Sequence, residues 1–139
     1  MKKRIFALVL TCALLTISCS SDDLTIEEMT LSKAEQYAIV KLVSTNLSVG
    51  KSAPVVISSV KLKKIEDSYY LSSYHGDKIT TTLLKIEGDT TLKYAGISCT
   101  SKACSTTDGC VPDKDGKKCA KCPWAGDCTK TVTSDIIQE

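Results

Sequence analysis

The sequence predicts an α+β fold in which an N-terminal helix packs on a small antiparallel β-meander and a cysteine-rich, disulfide-stapled C-terminal subdomain follows. Three observations support this. One helical stripe of apolar residues occupies positions 33–46, β-branched segments separated by glycine turns occupy positions 55–97, and six of the chain's eight cysteines lie between Cys99 and Cys128. A chain of 139 residues has room for one such domain with appendages.

The helix is predicted from Lys33 to Asn46. Ser32 and Glu35 form an S-x-x-E capping box, in which each side chain satisfies an otherwise unpaired amide donor at the helix start. Gly50 follows as a stop signal. Apolar side chains recur at helical spacing and are expected to pack on the core. These side chains are Ala34, Ala38, Ile39, Leu42 and Val43.

Four β-strands are predicted in segments rich in Val, Ile, Thr and Tyr. Gly76 and Gly88 each stand at the first central position of an x-Gly-Asp-x turn, where a type II′ hairpin turn requires a positive φ. Two such turns at strand spacing predict an antiparallel meander, with the helix covering one face. The segments are 55–65, 69–74, 79–86 and 91–97.

The region of residues 99–139 is predicted to be held together by disulfides. Its cysteines are spaced C-x4-C-x5-C-x8-C-x2-C-x5-C, among turn-forming residues and with little apolar content. An even number of cysteines in an exported chain implies bridges, and six cysteines allow 15 pairings, among which the spacing does not choose. The predicted half-cystines are Cys99, Cys104, Cys110, Cys119, Cys122 and Cys128.

A metal site or a thiol redox pair is the alternative use of these cysteines. Zinc ribbons present two C-x-x-C pairs, whereas this region has Cys119-Ala-Lys-Cys122 alone, and ferredoxin spacings do not match. A C-x-x-C pair also serves in redox enzymes, but the flanking sequence lacks their βαβ pattern. We therefore expect Cys119 and Cys122 to be half-cystines bridged to different partners. We expect no metal ligands in this region and no cofactor.

The first 18 residues are predicted to be an export signal. Met1-Lys-Lys-Arg4 is a basic start, Ile5 to Leu15 is almost wholly apolar, and small residues surround Cys19. A transmembrane helix is the alternative, but spanning a bilayer needs about 20 apolar residues and this run is shorter. An export signal is the better interpretation.

The sequence Ile17-Ser18-Cys19 resembles the lipobox of bacterial lipoproteins, with Thr16 at the position where leucine is usual. The resemblance implies lipidation of Cys19, cleavage before it, and attachment to a membrane by the lipid. The next residues resemble the surface-export signal of Bacteroidota lipoproteins, which implies an outer-membrane protein facing outward. That signal consists of Ser20, Ser21, Asp22 and Asp23.

These assignments divide the chain into four parts: a signal peptide (1–18), a lipidated polar tether (19–30), a helix-and-sheet domain (31–98) and a cysteine-rich region (99–139). Removing the signal leaves 15 of the 18 basic residues against 16 acidic ones, a formal charge of −1. This balance is not the electrostatic footprint of a nucleic-acid-binding protein.

No catalytic residues are predicted. His75 is the only histidine, stands beside a turn glycine and is expected to be exposed, and no nucleophilic triad assembles around it. We therefore expect a membrane-anchored, non-enzymatic binding or envelope module with an unknown protein or glycan partner. Its expected contact surface is the cysteine-rich region around Trp124, far along the chain from the anchor. The alternative is a metal-binding or thiol redox protein that uses Cys119 and Cys122.

Overall fold

The computed structural model describes residues 23–122 and 126–133. They form one mixed sheet with strand order β1-β2-β6-β5-β4-β3, and β7 also pairs with β6. The elements are β1 (Leu24–Ile26), β2 (Met29–Leu31), α1 (Lys33–Ser48), β3 (Ser59–Ile65), β4 (Ser68–His75), β5 (Lys78–Glu87), β6 (Thr91–Ser101) and β7 (Thr129–Val132).

Helix α1 begins where the capping motif predicts. The Oγ atom of the N-cap residue Ser32 accepts a hydrogen bond from the amide of Glu35 at 3.2 Å. The helix continues to Ser48, two residues beyond the predicted end at Asn46. Its apolar stripe buries Ile39 and Val43 in the core, so burial of one face adds to the local capping signal.

Strands β3 to β6 pair antiparallel in chain order. Gly76 lies in the two-residue turn between β4 and β5 and has a φ of +57°, as the turn motif predicts. The turn between β5 and β6 has three residues because Glu87 pairs with Thr91. Gly88 begins this longer turn with a φ of +69°.

The sheet curls into a nearly closed barrel. The two ends of the strand order, β1 and β3, lie next to each other. Glu27, in the turn between β1 and β2, joins this seam, because its Oε2 accepts hydrogen bonds from Lys64 Nζ at 3.0 Å and Tyr69 Oη at 3.4 Å. The seam is thus stabilised by side chains at the mouth of the barrel.

A register shift in the middle of the sheet adds curvature. Thr82 and Leu84 of β5 are two residues apart, whereas their partners in β6, Ser98 and Tyr94, are four residues apart. Extra residues on one strand bend it and increase the local twist, which is how sheets are commonly turned into barrels.

Both faces of the central strands are buried. The barrel interior holds the main apolar core, while Tyr70, Leu83 and Ile97 form a second cluster on the outer face, next to Val111 of the cysteine-rich region. Strands covered on both sides do not alternate cleanly between apolar and polar residues. The interior core consists of Leu31, Ile39, Val43, Tyr69, Leu71, Leu84, Leu92 and Tyr94.

The predicted fold class is therefore wrong. The described part of the chain is mostly β, a nearly closed barrel with one helix, rather than a helix packed on a small antiparallel meander. Strand β2 runs parallel to β6 at the pair Thr30–Thr91, and β7 joins the cysteine-rich region to the same sheet. The strand pattern identified strands but carried no information on curvature. The hairpin of β1 and β2 lies almost wholly within the predicted tether, and its strands of three residues each are too short to stand out, although both alternate apolar–Thr–apolar.

A buried carboxylate joins the helix to the barrel. Glu35 is 3% exposed, and its Oε1 accepts a hydrogen bond from the amide of Tyr94 in β6 at 2.9 Å. Its Oε2 lies 3.5 Å from Lys93 Nζ. On the edge of β6 away from β5, β2 pairs at Thr91 and β7 pairs from Ile97 onward. Glu35 therefore satisfies a backbone donor in the gap between these two strands.

Replacing Glu35 by Ala should lower the free energy of unfolding by about 2–3 kcal/mol, because it leaves the buried amide of Tyr94 without an acceptor. Glu35→Gln keeps an acceptor oxygen and should cost less. Urea denaturation of both variants, with the exposed helix substitution Lys41→Ala as control, measures the difference. Equal losses for Glu35→Ala and Lys41→Ala would show that the hydrogen bond contributes nothing.

Candidate functional site

Three disulfides hold the cysteine lobe, which we define as residues 99–122 and 126–128. Their Cα–Cα distances of 5.9, 5.8 and 5.9 Å are typical of disulfides. The prediction of six half-cystines is confirmed, and the pairing is first to fourth, second to fifth and third to sixth. The pairs are Cys99–Cys119, Cys104–Cys122 and Cys110–Cys128.

The three bridged loops overlap along the chain. Each bridge encloses one cysteine of each of the other two bridges. Closing a loop of about 20 residues in an otherwise free chain contributes roughly 3 kcal/mol through the unfolded state. Removing any one of these bridges should cost less, since the other two still constrain the segment from Cys110 to Cys119.

The C-x-x-C pair serves two different bridges, as expected from its flanking sequence. Cys119 is joined to Cys99 in β6, and Cys122 is joined to Cys104. In redox enzymes the two cysteines of such a motif are the attacking and resolving thiols of one disulfide. Here they connect two separate parts of the lobe.

Hydrogen bonds fix the lobe to the outer face of the sheet. Tyr70 Oη donates to the carbonyl oxygen of Pro112 at 3.0 Å, and Thr81 Oγ1 donates to that of Asp108 at 2.9 Å. Burial raises the pKa of Tyr70, so the phenol keeps the proton that it donates. The lobe therefore covers the second apolar cluster of the sheet.

The lobe lies close to β5 at Gly109. This glycine has a φ of +77°, and a Cβ atom there would lie 2.7 Å from Cγ2 of Ile79. A side chain would therefore both strain the backbone and collide with the strand. Nearby, Ser101 Oγ accepts a hydrogen bond from the amide of Cys110 at 3.2 Å and donates to Cys104 Sγ at 3.3 Å.

Two carboxylates of the lobe bind its own backbone. Asp113 Oδ1 accepts hydrogen bonds from the amides of Lys117 at 2.7 Å and Lys118 at 3.1 Å. These backbone hydrogen bonds, that from Lys118 above all, lower the pKa of Asp113. Asp127 accepts from the amide of Lys102 at 2.9 Å. Both carboxylates hold turns in place.

Three sulfur atoms meet where two bridges touch. The Sγ atoms of Cys99, Cys119 and Cys128 lie within 4.8 Å of one another. Zinc and iron bind cysteine as the thiolate, whereas each of these sulfurs is already bonded to another sulfur. The cluster is a packing contact between disulfides in this state of the protein.

Most of the predicted anchor lies outside the described residues, from Cys19 to Asp22, as does Trp124. Asp23 is described, and its Oδ1 accepts a hydrogen bond from the amide of Lys33 at 2.8 Å. That amide is one of the N–H groups that a helix start leaves unpaired. Asp23 thus supports the first turn of α1.

The sequence reasoning missed a polar layer inside the barrel. His75 is 5% exposed, so the expectation of an exposed turn residue is wrong. Its Nε2 is hydrogen-bonded to Thr80 Oγ1 at 2.9 Å, which is hydrogen-bonded in turn to Thr100 Oγ1 at 2.7 Å. A usable signal was present, because His75 has the strand parity of the core residues Tyr69 and Leu71.

Burial of His75 should make stability depend on pH. Burial first, then the positive charges of Lys51 and Lys78, lower its pKa below the ordinary value of 6.5, against a smaller opposing effect of Asp77. The unfolded chain therefore binds more protons than the folded one between the two pKa values. The neutral imidazole therefore makes its full contribution to the free energy of unfolding above about pH 6.5, and this contribution declines as the pH falls below that value.

Urea denaturation from pH 7.5 to pH 5.5 should show a stability loss that His75→Gln reduces. No other side chain type has an ordinary pKa in this window, and the chain has one histidine. Lys41→Gln, on the exposed face of α1, is the control. Identical pH slopes for the wild type and His75→Gln would contradict the assignment.

None of the helices within residues 23–122 and 126–133 is long and apolar enough to cross a bilayer. Comparison with known proteins finds no matching family model, no matching curated protein and no matching solved structure. Any functional assignment therefore rests on the residues and geometry of this chain.

Proposed function

We propose that the protein is a lipid-anchored module of the bacterial outer membrane, facing the cell exterior, which binds a partner through its cysteine lobe and catalyses no reaction. The anchor part of the proposal rests on Cys19 and its neighbouring residues. The binding part rests on one observation, the rigid attachment of a disulfide-bonded lobe to the outer face of a barrel.

A lipid on Cys19 would hold the barrel close to the membrane. Strand β1 begins at Leu24, so only a few residues separate it from Cys19. Fully extended, this stretch spans about 15 Å. Stable attachment needs more than one acyl chain, which a diacylglyceryl group on the cysteine supplies.

The lobe has the properties of a preorganised binding surface. Its bridges and its hydrogen bonds to β4 and β5 fix the backbone before a partner arrives, so little conformational entropy is lost on binding. The one histidine is hydrogen-bonded to a threonine inside the barrel, where a substrate would not meet it. These features favour binding over catalysis.

A metal-binding or thiol redox function is the second candidate. The meeting of Cys99, Cys119 and Cys128 favours it, since three sulfurs are already close enough to share an ion. That function requires reduction of two bridges, because thiolates are the ligands and nucleophiles of cysteine. A reducing compartment would be needed, whereas an outer-membrane address implies an oxidising one.

The two candidates predict different thiol chemistry for the purified full chain. With three bridges, the intact mass should lie six hydrogens below that of the reduced chain, and alkylation should find no free thiol among the lobe cysteines. A chelator should leave the unfolding temperature unchanged, and a reductant should lower it. Near-stoichiometric zinc or iron, with thiols that react only after chelation, would establish the metal-binding alternative.

The anchor is tested by replacing Cys19 with Ala, which should leave an uncleaved, unlipidated precursor, because lipid transfer uses the thiol. Mass spectrometry of the wild-type N-terminus should find a lipid-modified Cys19, and protease treatment of intact cells should digest the protein. Cys12→Ala, within the predicted signal, is the matched control and should be processed normally. An unmodified N-terminus at another residue would refute the anchor.

A further inference from the structure

Residues 111–121 of the cysteine lobe form a tight hairpin, which we call the lysine hairpin. The amide of Ala120 donates to the carbonyl oxygen of Val111 at 2.7 Å, and the amide of Asp113 donates to that of Lys118 at 2.9 Å. A further hydrogen bond, from the amide of Gly116 to the carbonyl of Asp113 at 2.9 Å, closes the turn. The tip is therefore ordered by its own backbone.

The base of the lysine hairpin is fixed to the barrel. Pro112 is buried and accepts the hydrogen bond of Tyr70, while Cys119 is bridged to Cys99 in β6. Pro112 and Cys119 face each other as an antiparallel pair across the hairpin. The hairpin thus presents its exposed side chains from a rigid support.

Lysines dominate the exposed surface of the hairpin. Lys114, Lys117, Lys118 and Lys121 are all exposed. Lys130 of β7 reaches the same hairpin, where its Nζ donates to the carbonyl of Lys117 at 2.6 Å. Within the described part of the chain, no carboxylate forms an ion pair with the four hairpin lysines.

The carboxylates of the hairpin offset only part of this charge, since Asp113 and Asp115 stand against four lysines. Besides the backbone hydrogen bonds, the charges of Lys118 and Lys130 help to lower the pKa of Asp113. Asp113 binds backbone amides of its own turn, Asp127 binds the amide of Lys102, and Asp108 pairs with Lys63 of β3 at 2.9 Å. Asp115 is the exposed carboxylate in the hairpin turn. Because the chain without its predicted signal has a formal charge of only −1, the lysine hairpin is a local excess of positive charge on a nearly neutral protein.

The chemistry of the hairpin narrows the class of partner. The lysine hairpin itself contains no aromatic side chain on which a nucleic-acid base could stack. The exposed large apolar side chains of the described chain lie outside the hairpin, so it lacks the anchors typical of a protein interface. Lysine ammonium groups are point charges and lack the fork geometry of arginine. They therefore suit anionic groups that are dispersed along a partner.

We infer that the lysine hairpin binds an anionic polysaccharide, a glycan chain that carries sulfate or carboxylate groups. The inference rests on the proposed function, in which the cysteine lobe is the binding surface, and adds the class of partner. Spaced ammonium groups on a rigid, polar hairpin match spaced charges along a polar chain, and release of counterions from the polyanion drives the association.

Fluorescein-labelled heparin, a sulfated polysaccharide, tests the inference against the full chain purified in non-ionic detergent. Fluorescence anisotropy over a salt series should show binding whose logarithmic affinity falls linearly with the logarithm of salt concentration. Replacing three hairpin lysines by glutamine should weaken binding about tenfold or more at low salt and flatten the slope by about 2–3. The substitutions are Lys114→Gln, Lys117→Gln and Lys118→Gln.

A matched triple variant separates the hairpin from net charge, because it removes the same three charges at exposed positions on α1, β3 and β5. It should bind heparin like the wild type, and Asp115→Asn should bind more tightly. Intact mass and circular dichroism confirm that each variant keeps its bridges and fold. The control substitutions are Lys41→Gln, Lys61→Gln and Lys85→Gln.

Any of three results would overturn the inference. The two triple variants could weaken heparin binding equally, or the folded wild type could fail to bind heparin. The wild type could also bind duplex DNA or phosphatidylglycerol vesicles more tightly than heparin at the same salt concentration. The anchor is tested separately. If a chain without lipid binds heparin through its hairpin lysines, the anchor is refuted and this inference stands. If a lipidated chain does not bind heparin, the anchor stands and this inference is refuted.

Discussion

The covering of strand β6 on both faces, with neighbouring strands on both edges over part of its length, is the constraint on which the rest of the structure depends. Leu92 and Tyr94 lie in the interior core, while Ile97 and Cys99 lie on the outer face under the cysteine lobe. Where the strand is buried, its backbone donors must find acceptors within the protein. The helix supplies one of the missing acceptors through Glu35, so α1 is required by the sheet as well as by the apolar core.

The disulfides help to keep the outer face of the sheet covered. The only phenylalanine of the chain is Phe6, and the interior core is built from Leu, Ile, Val and Tyr. The lobe has few apolar residues with which to cover Tyr70, Leu83 and Ile97. Bridges, with glycine at position 109 for close approach, hold a polar segment against an apolar face that it could not cover by burial alone.

Local features were predictable from the sequence because their causes are local. Ser32 and Glu35 mark the start of α1, Gly76 marks a hairpin turn, and an even number of clustered cysteines indicates three bridges. The pairing of the bridges, the parallel contact of β2 and the curvature of the sheet depend on contacts between distant residues, and a one-dimensional pattern does not record them. His75 lies between these cases, since its parity indicated burial while its neighbouring glycine indicated a turn.

If the chain is held by a lipid on Cys19, as proposed, the short hairpin of β1 and β2 is the first part of the barrel to receive a mechanical load. In a lipid-anchored chain, traction on Cys19 enters the fold at Asp23, which is hydrogen-bonded to Lys33, and passes directly into β1. The hairpin is held to β6 by the single residue pair Thr30–Thr91. Its side chains hold it as well, because Leu31 is buried in the interior core and Glu27 is hydrogen-bonded to Lys64 and Tyr69. A pull on such an anchor would therefore strain the seam between β1 and β3 before it reached the disulfide-bonded lobe.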